Sequence, residues 1–285
     1  MLGAFFVSCS KDEPSGKSIF VDADEQSRSE FDKWLERHYI EPYNILFEYR
    51  MPDRQTNFGY WVTPPTIDKS IEIAKLIRFG TLDAMTEMYA NGDPQRDPTL
   101  FAKMYFPKVL FMVGSFEISN TGAVALGSAE NGLQINILGV NFFDRNTRSV
   151  DIIGLLAHEF THILAGTRPV TTEFKAICEK DYVGDTWTSA GNDYLQLGFL
   201  SNYGRKSDGE DLAELVASYL THDQAWWDGQ MALAGASGSA KLEEKLSITM
   251  AWLDSGFDVD MAKWRDVTVR RISEIGSIDW QNLDD

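Results

Sequence analysis

His158-Glu159-Phe160-Thr161-His162 lies inside an apolar run from Val150 to Ala165, and its reading sets how the rest of the chain is understood. The run carries Ile152, Ile153, Leu155, Leu156, Ala157, Phe160, Ile163 and Leu164. These positions go almost all round a helical wheel, so the pattern predicts a buried helix. Residues four apart share a helical face, so both imidazoles can point at one place. Glu159 is rotated about 100° from His158. Two imidazoles and a carboxylate are costly to bury without a partner. A His-Glu-x-x-His spacing resolves that cost by holding one Zn2+ between the histidines, with the glutamate beside the water it activates. The chain has four histidines (His38, His158, His162 and His222), and two of them fall in this motif.

The helix has readable ends. Asp151 stands in its first turn, where the helix dipole favours an acid. Gly166 and Pro169 give a stop signal. Gly154 lies one turn before His158 on the same face, where it either admits another segment closely or simply weakens the helix.

A catalytic zinc takes three protein ligands and keeps one open position. Ile163 to Arg168 contain no histidine, so the third ligand comes from elsewhere. The segment Gly209 to Leu220 reads as a helix with acids at Glu210, Asp211 and Glu214. Glu210 and Glu214 share a face. One can bind the ion while the other holds a histidine through its second ring nitrogen. Ser207-x-x-Glu210 also matches a capping box, a competing structural role for Glu210. His222 lies three turns beyond Glu210 and is the weaker candidate.

The run Ser201-Asn202-Tyr203-Gly204-Arg205, followed by Glu210-Asp211-Leu212-Ala213-Glu214, resembles the Y-G-R and E-x-x-A-E segments of the anthrax lethal factor metalloprotease and its relatives. The order from Gly198 to Glu214 is similar to the substrate import-associated zinc metallohydrolase lipoproteins of Bacteroidota-type bacteria, with Gly204 where alanine is expected in many relatives. The resemblance implies His158, His162 and Glu210 as zinc ligands, Glu159 as base, Tyr203 as oxyanion donor and Glu214 as the acid behind a histidine. It implies a zincin-like α+β fold, mostly helical, with a small mixed sheet and an active-site helix. The expected reaction is hydrolysis of a peptide or protein substrate.

The N-terminus adds an expectation about location. Phe6-Val7-Ser8-Cys9 resembles a lipobox, although the apolar stretch before it is short and lacks a basic start. Residues 1–9 read as a signal remnant ending in a lipidated Cys9, 10–26 as a flexible tether, and 27–285 as the metallopeptidase domain. Ser10-Lys11-Asp12-Glu13 resembles the acidic export signal of Bacteroidota surface lipoproteins. That implies an outer-membrane lipoprotein at the cell surface, held through its lipid anchor only and partnered with a TonB-linked nutrient import system. Cys178 then stands alone and reads as a small core residue.

A net charge of −17 argues against nucleic acid as a partner. The 44% hydrophobic content indicates a folded chain, and no later stretch approaches the ~18 apolar residues of a membrane span. Helices are expected at 29–39, 67–88, 99–105, 171–181, 209–221, 241–254 and 260–275. Strands are expected at 43–49 and 108–113. Ala123–Leu126 and Leu133–Leu138 flank Asn131-Gly132 as a hairpin, and the resemblance to zincin-type metallopeptidases implies that an edge strand there receives an extended peptide. Eight tryptophans, including Trp226-Trp227, keep a nutrient- or glycan-binding lipoprotein without catalysis as the alternative. A zinc hydrolase of a non-peptide amide is a third reading.

Overall fold

The computed structural model describes residues 28–51, 62–118, 124–125, 127–130 and 132–284. Cys9, the lipobox and the tether lie outside these residues. Helices dominate: α1 (Glu30–Leu35), α2 (Glu41–Tyr43), α3 (Ile67–Ile77), α4 (Asp83–Ala90), α5 (Leu100–Tyr105), α6 (Ser149–Thr167), α7 (Thr172–Ile177), α8 (Tyr194–Leu197), α9 (Asp208–Thr221), α10 (Gln224–Phe257) and α11 (Met261–Ser273). A four-stranded sheet runs in the order β1 (Leu46–Glu48), β2 (Val109–Met112), β6 (Gln134–Ile137) and β5 (Gly127–Glu130). The first two pairings are parallel and the last is antiparallel, so β5 is an edge. A separate two-stranded piece pairs β3 (Glu117–Ile118) with β4 (Val124–Ala125). The architecture is the α+β arrangement expected, mostly helical with a small mixed sheet.

α6 is the axis of the molecule. Its 19 residues span about 28 Å. Ile152, Ile153, Leu156, Phe160 and Leu164 are buried in the main core with the sheet residues Leu110, Ile135 and Ile137. β5 lies against the helix so closely that a Cβ at Gly127 would sit 2.9 Å from Leu155. The helix runs through Gly166 and stops at Arg168, which is extended before Pro169. The proline therefore ends it, and Gly166 does not. α9 packs across α6, with Leu212, Leu215, Val216, Tyr219 and Leu220 buried in the same core.

Several elements differ from the sequence expectation. The hairpin strand facing β6 is 127–130, while 124–125 belongs to the small second sheet. Gly127-Ser128-Ala129 carries no hydrophobic pattern, yet the turn at Gly132 (φ 71°) joins the residues next to it. Tyr43 ends a helix, and the left-handed Asn44 turns the chain into a shorter strand. The 67–88 helix contains a π turn over Arg78–Leu82, where Gly80 meets Ile153 of α6. Helix 171–181 ends at Ile177, and Cys178, its C-cap, is buried as expected of a core residue.

The largest difference is α10, expected at 241–254 but starting at Gln224. Residues 228–240 are rich in Gly, Ala and Ser and have no apolar period. Their start is marked instead by a cap, Asp223 accepting from the Trp226 N–H at 2.9 Å. Gly235 interrupts the helix at φ 67°.

Two glycines make opposite predictions. A Cβ at Gly238 would lie 2.1 Å from the Leu195 carbonyl oxygen, a backbone atom of α8. Gly238→Ala is expected to cost roughly 1–3 kcal/mol by overpacking. A Cβ at Gly154 would meet only Thr221 Cγ2, at an ordinary 3.7 Å. Gly154→Ala is expected to stabilise α6 by about 0.5–1 kcal/mol. Urea unfolding of the two variants checks both signs.

Candidate metal centre

His158 and His162 leave α6 one turn apart, and Glu210 leaves the first turn of α9 toward them. The three donors form a near-equilateral triangle. His158 Nε2 and His162 Nε2 are 3.2 Å apart, and each is 3.2 Å from Glu210 Oε2. Tetrahedral zinc with ligand bonds of about 2.0–2.1 Å separates its donors by about 3.3 Å. The chemistry and spacing of this set therefore fit the ion. Among the described residues, it is the group of three or more His, Cys, Asp or Glu side chains able to hold a metal.

Glu214, one turn further along α9, does not enter the triangle. Its Oε1 lies 2.9 Å from His158 Nδ1, and its Oε2 accepts from the Ser201 hydroxyl at 2.6 Å. A proton on Nδ1 directs the Nε2 lone pair of His158 into the triangle. Ser201 also accepts from the Gly204 N–H at 3.1 Å, which fixes the turn carrying Tyr203.

The competing capping role of Glu210 is resolved by its contacts. Ser207 is the N-cap of α9 and accepts from the Glu210 N–H at 3.2 Å. The Glu210 carboxylate, however, faces the histidines, and its Oε1 accepts from Tyr203 OH at 2.7 Å and Lys206 Nζ at 3.0 Å. Tyr203 stacks on His158 with ring centroids 5.9 Å apart, and Trp187 meets Tyr203 edge-on at 5.0 Å. Glu159 is 9% exposed, buried beside the histidines, and its charge is felt at both His158 and Tyr203.

Electrostatics follow this arrangement. Burial works against charge on His158, but hydrogen bonds to Glu210 and Glu214 outweigh it and raise its pKa to about 9. Burial opposes ionisation of Glu210, yet His158, His162, Tyr203 and Lys206 together hold its carboxyl well below the usual range. Burial also opposes ionisation of Glu214, and its bonds to His158 and Ser201 prevail to lower it. Burial and the neighbouring carboxylates push the Tyr203 phenol up, so it is a donor at neutral pH.

Behind the centre, Asp211 is turned away from the histidines into the core. Lys245 of α10 lies 2.5 Å from its Oδ2, fully buried, and also donates to the Gly198 carbonyl at 2.7 Å. Tyr182 OH donates to the same Asp211 oxygen at 2.8 Å. The Lys245 ammonium sits 4.1 Å from the centre of the Phe199 ring. Burial pushes the Asp211 carboxyl up to about 6, against the pull of Lys245.

His222 is outside the centre. It caps α9, bonds the Ser218 carbonyl at 3.0 Å and stacks on Trp226 at 3.9 Å. His38 packs on Trp34. Of the described tryptophans, Trp34, Trp227, Trp252, Trp264 and Trp280 are buried core residues. Lys206, Ser201 and Trp187 had no assigned role in the sequence reading. For Lys206 and Ser201 the only signal there was proximity to Tyr203, and their contacts depend on the turn at 201–207. Trp187, in the separate turn Gly184–Ser189, gave no local signal.

No described helix is long and apolar enough to cross a membrane. A family model described as "Putative zinc-binding metallo-peptidase" matches residues 24–262. The crystal structure of a protein from Bacteroides caccae, named as a putative zinc-binding metallo-peptidase, is 28% identical with a TM-score of 0.74, covering 92% of this chain and 98% of that one. No curated protein matches. With residues 24–262 matched, the chain belongs to the family described as "Putative zinc-binding metallo-peptidase".

Proposed function

We propose that the chain is a zinc-dependent peptidase in which His158, His162 and Glu210 hold the ion and Glu159 is the general base. The observation that carries this reading is the triangle of donors 3.2 Å apart with a buried carboxylate beside it. When bound, zinc supplies a Lewis acid for the scissile carbonyl and brings the pKa of water toward neutrality. Glu159 removes the proton from the attacking water and delivers it to the leaving amine. Glu214 fixes the tautomer and orientation of His158. Tyr203 donates its phenol to the developing oxyanion. An extended peptide would pair with β5, the edge strand of the sheet among the described residues, which lies along α6.

The same proposal places the protein at the cell surface of a Bacteroidota-type bacterium, anchored by a lipidated Cys9 and associated with a TonB-linked import system. Its support is the lipobox-like stretch, the acidic residues after it and the Bacteroides relative. Mass spectrometry of the membrane fraction would test it, and an unmodified cysteine in the membrane-extracted chain would sink it.

The ligand assignment has its own test. Glu210→Ala is expected to abolish stoichiometric zinc binding. Glu214→Ala is expected to keep zinc but weaken it by about 10–100-fold. Peptide hydrolysis should be lost on chelation and return with added zinc. Zinc content unchanged in Glu210→Ala would remove that residue from the ligand set.

A further inference from the structure

We infer that Lys206 is a positioning residue that keeps Glu210 monodentate toward the ion and retains its second oxygen when Tyr203 turns to substrate. The inference rests on the zinc reading above. The two Glu210 oxygens have separate tasks. Oε2 faces both histidines at 3.2 Å, while Oε1 accepts from Tyr203 OH at 2.7 Å and from Lys206 Nζ at 3.0 Å. A carboxylate oxygen offers two lone-pair sites. With both used at Oε1, only Oε2 is left for a metal. A carboxylate that bound through both oxygens would occupy the position that water and substrate need.

Tyr203 cannot serve two acceptors with one proton. Its hydroxyl hydrogen goes either to Glu210 Oε1 or to a developing oxyanion. If it leaves Oε1, a second donor must remain there, or the carboxylate is free to rotate. Lys206 is placed for that. It ends the 3-10 turn Tyr203–Lys206, four residues before Glu210, and its ammonium lies 3.4 Å from Tyr203 OH as well. An ammonium carries three donors, so it can contact both oxygens and keep one proton for water. Arg205, the adjacent cation, is turned away. It is buried, bonding the Asp181 and Gly191 carbonyls and the Asp193 carboxylate. The Lys206 side chain is 34% exposed, so its charge is partly screened and its effect is one of geometry more than of field strength.

The test compares Lys206→Met and Lys206→Arg with wild type. Zinc affinity is measured by competition with a chelating dye, kcat and KM on one peptide, and the visible spectrum after Co2+ substitution. Lys206→Met is expected to weaken zinc about tenfold. It is expected to lower kcat by a similar factor, to leave KM within about twofold, and to weaken the visible cobalt bands as coordination number rises. Lys206→Arg restores most of each. Melting of the zinc-free Lys206→Met protein should match wild type, because the side chain is partly exposed. Wild-type protein that binds no zinc overturns both this inference and the function it rests on. Wild-type protein that binds zinc, with a Lys206→Met variant equal to it in affinity and kcat, overturns this inference alone. A loss expressed only in KM also overturns it, since that would make Lys206 a substrate contact.

Discussion

Glutamine in place of Glu159 is expected to slow peptide hydrolysis by about 10²–10⁴ while leaving zinc in place. The change keeps the size of the side chain and removes its ability to accept and return a proton. Its cost in transition-state stabilisation is about 3–5 kcal/mol. Zinc should stay because Glu159 is not among the three donors that converge at 3.2 Å. His162→Ala should behave in the opposite way, losing both metal and activity, since it removes one corner of the triangle. Metal analysis beside single-substrate kinetics separates the two cases. A Glu159→Gln variant as fast as wild type would end the general-base assignment, and one that had lost its zinc would show that the carboxylate serves the ion instead.

The largest stability effect is expected at Lys245. Its ammonium is fully buried against Asp211, which is 2% exposed, with the Gly198 carbonyl as its further acceptor. Removing one partner strands the other charge in the core, at a cost of about 3–5 kcal/mol. Lys245→Ala should therefore lower the melting temperature by roughly 5–10 °C. Replacing both groups by apolar residues of similar size, as in Lys245→Met with Asp211→Leu, should recover most of that loss, because no charge is left unpaired. Calorimetry of the single and double variants tests this. If the double variant is as unstable as the sum of the singles, the cost comes from lost packing and not from an orphaned charge.

Much of the site was legible because it is local. The pair His158 and His162 follows from a spacing of four within one helix, and Glu210 and Glu214 repeat the same logic on α9. Which of the two glutamates meets the triangle was open, since both share a face. Their distances to the two nitrogens of His158 distinguish them. The roles of Lys206 and Ser201 were not legible, because each depends on a turn that brings residues 201–206 back over the start of α9. In the fold, strongly apolar segments such as α6 were readable, and weakly patterned ones were not. The first half of α10 lacks an apolar stripe because small residues there admit the backbone of α8. β5 lacks one because glycine admits α6. In both places close approach replaces side-chain bulk, and periodicity has nothing to register.

Glu210 and Asp211 are consecutive, so their side chains leave α9 about 100° apart. One reaches the histidines and the other the buried lysine. The helix is thereby indexed about its own axis, like a shaft keyed on two sides. A twist that moved the acid off the ion would also unseat its neighbour from Lys245. The phase of α9 is thus held by the protein's interior and not by its chemistry alone.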